Sequence, residues 1–480
     1  MNSLTDRYAA YQGKLRLHGQ HHLLTFWPQL TDAQRQALLD DLDQIDFERC
    51  APLVNTYVRH RPQDALPQRL EPPVCYPAEP TAAQGALYER ARQTGEEAIR
   101  AGRVAAFLVA GGQVTRLGYD GPKGAFQITP VRNAPLFQVF AEFLLGVERR
   151  YGRRPRWYIM TSPTNHEQSL AFFTQHRYFG LSPDEVQFFR QGQMPAFLPD
   201  GRMALADRHR VALSPDGHGG SLRALADSGA LADMGRHGID TISYFQVDNP
   251  LVRVIDPLFI GLHLGTGSEM SSKAVHKAFD AEKVGVFSQI NGHLGVVEYS
   301  DLPAELAAAK NPDGTRRFDA GSIAIHVLSR EFVERLTAPD AAVQLPWHRA
   351  DKRVPTVDTA GNPVNPAEPN AVKLEMFVFD AIPLARNPLV LYTRREEEFS
   401  PVKNADGVDS PAVARRDLNR RAARWLEACG VTVPHSPAGD PAMPLEISPR
   451  FALDADDLRE RLHTLPTQPT LTPHAPVLFA

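Results

Sequence analysis

Cysteine is scarce in this chain, with three residues in 480 (Cys50, Cys75 and Cys429) that lie far apart and form no CxxC pair. Such spacing encodes neither a disulfide framework nor a cysteine zinc site, and a reducing cytoplasm is the expected setting. Positive charge is not in excess either. Lys and Arg total 52 against 56 Asp and Glu, a net charge of −4 with histidine neutral, which supplies no basic footprint for nucleic acid or anionic lipid. Uninterrupted apolar runs of about 18 residues are missing, and no apolar stretch follows a basic one at the start, so neither a membrane span nor a secretory signal is expected. Self-similarity at periods of about 20–50 residues is absent too, which excludes a repeat array.

What is present is ordinary globular composition, 43% hydrophobic and 22% charged, in a chain long enough for several domains. Proline is the exception. The chain has forty prolines, and they concentrate at 63–80, 355–369, 434–449 and 464–476, stretches that punctuate the chain. Residues 1–95 read as a helical region, with Leu38, Leu39 and Leu42 at helical spacing, Thr31 as an N-cap and a proline-rich linker over 62–80. A helix over about 85–101 leads to VAAFLVA (104–110), a fully buried strand running into Gly111-Gly112. Strand 157–162 and a helix in which Asn165 and Gln168 have capping-box spacing continue the alternation. TISYFQVDN (241–249) is a further strand, and 284–300 is a hairpin about Asn291-Gly292. The expected fold is α/β, with a mixed, mostly parallel sheet over 96–388 and a smaller C-terminal region over 389–480.

Four places carry chemistry. Ala110, Gly111, Gly112, Gln113 and Arg116, followed by Lys123 in GPKG, form a glycine-rich loop with two cations directly after a buried strand, the composition of a phosphate cradle. Neither GxxxxGK[ST] nor GxGxxG occurs, so neither a P-loop NTPase nor a dinucleotide-binding dehydrogenase is supported. PDGHGG (215–220) surrounds His218 with turn residues and brings backbone close to a flat or sugar-like ligand. Asp248 ends a strand, where open α/β sheets bind ligands, and one carboxylate with phosphate oxygens is the usual way to hold Mg²⁺. Lys403 lies in a proline-turned loop after strand 389–394, its ammonium suited to a transferring phosphate.

Nine ordered blocks between about residues 100 and 430 resemble one family: LVAGGQVTRLG, PKG, WYIMTS, HRYFGL, PDGHGG, VDN, VVEYS, FVFD and EEFSPVKNAD. The chain resembles the eukaryotic-type UDP-N-acetylhexosamine pyrophosphorylases within the broader UDP-sugar pyrophosphorylases. The resemblance implies a Rossmann-like nucleotidyltransferase core in which a sugar 1-phosphate attacks the α-phosphorus of UTP, pyrophosphate leaves, and Mg²⁺ is required. It places uracil contacts on the 110–113 loop and Gln191, with Gly217 behind the base, and triphosphate contacts on Arg116 and Lys123. It implies Asp248 as the magnesium ligand and Lys403 on the sugar-side phosphate, with Gly285, Glu298, Phe377 and Phe379 lining the sugar pocket. Three positions depart from the family pattern: Val114 replaces a loop glycine, His218 stands where N-acetylhexosamine enzymes carry asparagine, and Ser322 replaces the asparagine of a GNI block. The expected activity is uridylyl transfer to N-acetylglucosamine 1-phosphate. Glucose 1-phosphate is the alternative substrate, and a non-catalytic UDP-sugar-binding regulator is the alternative class.

Overall fold

The structure is a computed structural model that describes residues 3–61, 69–112, 117–341, 343–467 and 469–480. Among the site residues expected from sequence, Gln113 and Arg116 lie outside the described residues, as does Val114. The chain forms two compact units: a smaller one of Met1–Leu66, Gln191–Ala224 and Val343–Asp380, and a larger one of Pro67–Arg190, Leu225–Ala342 and Ala381–Ala480. These units interleave in sequence and do not follow the consecutive segments 1–95, 96–388 and 389–480.

The smaller unit begins with helices α1 (Leu4–Leu17), α2 (Asp32–Asp43) and α3 (Phe47–Leu53). Thr31 caps α2 as expected, accepting from the Gln34 amide while the Gln34 side chain returns to the Thr31 N–H at 3.0 Å. This reciprocal pair satisfies donors that the first helical turn leaves open. Leu38, Leu39 and Leu42 are wholly buried with Phe47, Met194, Phe197 and Leu374, so the N-terminal helices share a core with two later stretches. Asp41 is buried on α2 because Arg210 clamps it with two bonds of 2.8 Å and the Val211 N–H adds a third. A buried carboxylate is tolerated only with such compensation.

The larger unit holds a ten-stranded mixed sheet. Its strands are β1 (Leu70–Glu71), β2 (Val104–Val109), β3 (Trp157–Thr161), β4 (Val186–Arg190), β5 (Thr241–Gln246), β6 (Met270–His276), β7 (Val286–Ile290), β8 (His293–Val297), β9 (Ala320–Ser329) and β10 (Leu389–Tyr392). Strands β5, β2, β3 and β4 lie side by side in parallel. Strand β9 then runs antiparallel to β5, β7 and β6, while β8 and β1 extend the antiparallel edge and β10 pairs parallel with β6. The β7–β8 hairpin turns at Asn291 and Gly292 with φ of 52° and 89°, the double left-handed turn that Asn-Gly favours. Helices α4 (Gly85–Arg100), α5 (Leu136–Tyr151), α6 (His166–Gln175) and α7 (Pro257–Gly265) belong to this unit. Phe107, Phe137, Phe140, Trp157, Phe173 and Phe245 are fully buried, and each contributes roughly 1.5–3 kcal/mol of apolar burial. No helix among the described residues is long and apolar enough to cross a membrane.

The parallel order has one consequence for function. Because β2 lies between β3 and β5, the segments leaving the carboxyl ends of all three strands emerge along one sheet edge, where ligands of open α/β sheets bind.

Candidate active site

In the larger unit, the chain leaving β2 carries Ala110, Gly111 and Gly112. The Ala110 N–H donates to Met160 of β3 at 2.7 Å, and the Val247 N–H after β5 donates to Val109 at 3.1 Å, so the three exits are tied together. Among the described residues, the nearest atom to a Cβ on Gly112 would be Lys123 Cδ at 3.7 Å.

Asn165 is used differently from the expected cap. Its spacing to Gln168 matches a capping box, yet the side chain makes no cap to α6. Its Nδ2 instead donates to Ala110 O at 3.0 Å and Gly112 O at 3.3 Å, and its Oδ1 accepts the Ser162 N–H at 2.9 Å. Two carbonyls of a neighbouring loop offered the amide a better set of partners than the helix did.

Asp248, half-buried, follows β5. Its carbonyl accepts the Val402 N–H at 2.8 Å, which places Lys403 next to it in the same unit. Asn249 fastens this arrangement, donating to Glu398 O at 2.6 Å and accepting from Ser400 N at 3.2 Å. The Lys403 N–H is held by Asp409 O at 2.7 Å, and the exposed ammonium lies 5.9 Å from the Phe399 ring centroid. Burial raises the Asp409 carboxyl pKa, Lys403 opposes that shift, and the negative charges of Glu282 and Asp248 add to it. Asp248 and Lys403 thus share one electrostatic neighbourhood.

The expected sugar-pocket residues of this unit also converge. The Ser322 N–H on β9 donates to Gly285 O at 2.8 Å, and a Cβ on Gly285 would come within 3.2 Å of Glu298 Oε1.

In the smaller unit, Gln191 is buried, and its Nε2 donates to Gly217 O at 2.7 Å and to Asp216 Oδ1 at 3.2 Å. The glycine run lies against residues 375–377: Gly219 N–H donates to Met376 O and Met376 N–H to Asp216 O, both at 2.8 Å. A Cβ on Gly217 (φ +84°) would sit 2.3 Å from Met376 O, and one on Gly219 2.7 Å from the Phe377 nitrogen. These glycines are required by backbone-to-backbone contact.

The Val378 N–H donates to His218 Nδ1 at 3.1 Å, which makes Nδ1 an acceptor and puts the proton of the neutral ring on Nε2. The ring stacks on Phe377 at 5.3 Å and tilts against Phe379 at 5.7 Å. Phe377 also meets His348 at 4.5 Å, whose Nε2 lies 2.7 Å from Asp380 Oδ2. Burial, with a smaller contribution from His348, pushes the His218 pKa down to about 4, and burial does the same to His263 of the larger unit. An unfolded chain takes up these protons near pH 6.5, whereas the folded protein cannot until about pH 4. Stability is therefore lost as pH falls from 6.5 toward 4 and is indifferent to these two groups above that window. Thermal melts should show a lower transition at pH 5 than at pH 7, and His218→Asn should narrow the gap. An unchanged gap would place the proton uptake elsewhere.

Residues 55–413 match the family model described as UTP--glucose-1-phosphate uridylyltransferase. The chain belongs to this family. Within it, the uridylyltransferase chain is 38% identical to the human UDP-N-acetylhexosamine pyrophosphorylase-like protein 1, the match covering 93% of each. It is 34% identical to the UDP-N-acetylglucosamine pyrophosphorylase of Saccharomyces cerevisiae, over 86% of this chain and 90% of that one. The crystal structure of the uridine diphosphate N-acetylglucosamine pyrophosphorylase from Trypanosoma brucei is similar in fold, with a TM-score of 0.79 at 27% identity and 96% of both chains covered. The α/β nucleotidyltransferase architecture expected from the sequence is the one found.

Nothing local in the sequence marks the distant partners of Asn165, Asn249, His348 and Asp380. Asp380 was visible as the last letter of FVFD, but its partner is 32 residues away and no local spacing announces it.

Proposed function

We propose that this family member forms a UDP-sugar and pyrophosphate from UTP and a sugar 1-phosphate, with N-acetylglucosamine 1-phosphate as first-choice substrate, in the cytoplasm. The observation that carries the reading is the juxtaposition of Asp248 and Lys403 at the sheet edge that also bears the 110–112 loop. An oxygen of the sugar 1-phosphate attacks the α-phosphorus of UTP in line, and the bond from that phosphorus to the bridging β-oxygen breaks to release pyrophosphate. No protein nucleophile is needed, because the barrier lies in bringing two anions together and neutralising the charge that spreads over the phosphate oxygens.

Lys123 and Arg116 serve the triphosphate, and Lys403 serves the incoming phosphate. In the larger unit the resemblance assigns residues 110–113 to the uracil and Gly285, Glu298 and Ser322 to the sugar; in the smaller unit it assigns Gln191 and Gly217 to the uracil and His218, Phe377 and Phe379 to the sugar. Among the described residues no cluster of three or more His, Cys, Asp or Glu side chains is arranged to hold a metal alone. A lone carboxylate suits Mg²⁺, which keeps water and takes substrate phosphates as its other ligands, so Asp248 fits the group. When bound, Mg²⁺ would neutralise phosphate charge.

Preference for an acetamido sugar is supported by the identities with N-acetylhexosamine and N-acetylglucosamine enzymes and by the FVFD block. His218 supports glucose 1-phosphate as a second reading, since its Nε2–H suits a hydroxyl as well as an acetamido carbonyl. Pyrophosphate release from UTP and Mg²⁺ with N-acetylglucosamine, N-acetylgalactosamine, glucose and galactose 1-phosphates tests class and specificity together. Fastest release with N-acetylglucosamine 1-phosphate is the expected result. Preference for glucose would favour the second reading and point to the departures at His218 and Ser322. Absence of turnover with every sugar would overturn the enzymatic reading in favour of a UDP-sugar-binding regulator.

A further inference from the structure

We propose that Asn165 is a positioning residue for the nucleotide, its carboxamide holding residues 110–112 at the exit of β2 in the conformation that receives UTP. The inference rests on the reading that residues 110–112 contact UTP.

Asn165 is only 1% exposed. Its amide cannot be turned around: the Ser162 N–H is a donor and requires oxygen opposite it, which leaves Nδ2 for the carbonyls of Ala110 and Gly112. The residue is itself fixed by its backbone, since Asn165 O accepts both the Ser169 N–H at 2.9 Å and Ser169 Oγ at 2.7 Å. One rigid side chain on the β3–α6 turn therefore holds two alternate carbonyls of the neighbouring strand's exit.

The effect on an anionic ligand follows. Two carbonyl dipoles committed to Asn165 keep their negative ends on the amide and are not free to oppose an anion that Lys123 attracts. Residues 110–112, already held in place, lose less freedom when the ligand arrives. Without the amide, binding has to fix these residues and turn their carbonyls away. The penalty falls on UTP, because the sugar 1-phosphate is not read by this loop.

The decisive variant is Asn165→Asp in the full-length protein. It keeps the shape and the acceptor for Ser162 but replaces the donor with a charged oxygen facing two carbonyls. Kd for UTP, read by calorimetry, and KM for UTP should rise about tenfold or more, while KM for the sugar 1-phosphate changes less than about threefold. Asn165→Ala should show the same split with a smaller rise and carries the test if the aspartate variant does not fold. Asn165→Ser, which restores a donor, should recover part of the affinity. A purely structural role would lower the melting temperature without separating the two KM values and would overturn the proposal. So would an Asn165→Asp protein whose UTP affinity stays within about twofold of the parent's. If the parent protein neither binds UTP nor releases pyrophosphate, the functional reading fails first and this inference with it. If the parent binds UTP and Asn165→Asp binds it equally, this inference alone falls.

Discussion

Asp248→Ala is expected to lower kcat by about 10³-fold at saturating UTP, sugar 1-phosphate and Mg²⁺, while the chemical-denaturation profile shifts by no more than about 0.5 kcal/mol. The separation arises because the hydrogen bond anchoring Lys403's loop uses the Asp248 carbonyl, which alanine retains. Only the carboxylate is lost, and with it the anion that would share Mg²⁺ with substrate phosphates. Asp248→Asn keeps the volume and removes the charge, so it should fall as far as alanine. Steady-state kinetics over a range of Mg²⁺ concentrations provide the check. An alanine variant within about threefold of the parent would remove Asp248 from the metal role, and a variant equally slow but strongly destabilised would recast it as a structural residue.

The second large effect concerns stability. Lys273, on β6, is 1% exposed, and its ammonium makes contacts of 2.6 Å with Asp256 and with both oxygens of Glu398. Burial raises the Asp256 pKa, but Lys273 and Arg253 outweigh it and hold that carboxyl well below the usual carboxylate range. Lys273→Ala leaves two buried carboxylates without the ammonium that bonds them both and with Arg253 left to offset their charge, at a cost of about 3–5 kcal/mol. Urea denaturation should show the larger unit unfolding at markedly lower denaturant. Pairing Lys273→Met with Glu398→Gln should cost less than the sum of the two single changes, because the second change removes the charge that the first stranded. Additive losses would argue that these groups do not act as one network. The same substitution should reduce turnover, since Glu398 O receives the Asn249 amide that secures the segment leading to Lys403.

Much of this molecule was legible without coordinates, and the legible parts share a physical property. Thr31 with Gln34, Asn291 with Gly292, and the VAAFLVA strand are set by neighbours within a few residues, where side-chain chemistry and backbone preference act directly. The glycine run 217–220 and the Asp248 strand end were recognisable because a close approach of backbones and a strand-end carboxylate leave their own compositional marks. Asn165 shows where local reasoning breaks. The same spacing to Gln168 that would make a cap is present, yet the side chain serves carbonyls more than fifty residues earlier in the chain, at a separation of 55 and 53 positions.

The sequence by itself determined the class of protein, the α/β alternation and the family, because each depends on composition or on a contiguous block. Only the tertiary structure decided that 191–224 and 343–380 join the N-terminal helices in one unit, since their shared core is made of contacts between stretches far apart in sequence. The tertiary structure also decided the proton on His218, which depends on the N–H of Val378 160 positions away, and the partners of Lys273, which come from α7's cap and the segment after β10. Hydrogen bonds and buried ion pairs are chosen by proximity in space, and a linear pattern carries proximity only across a few residues.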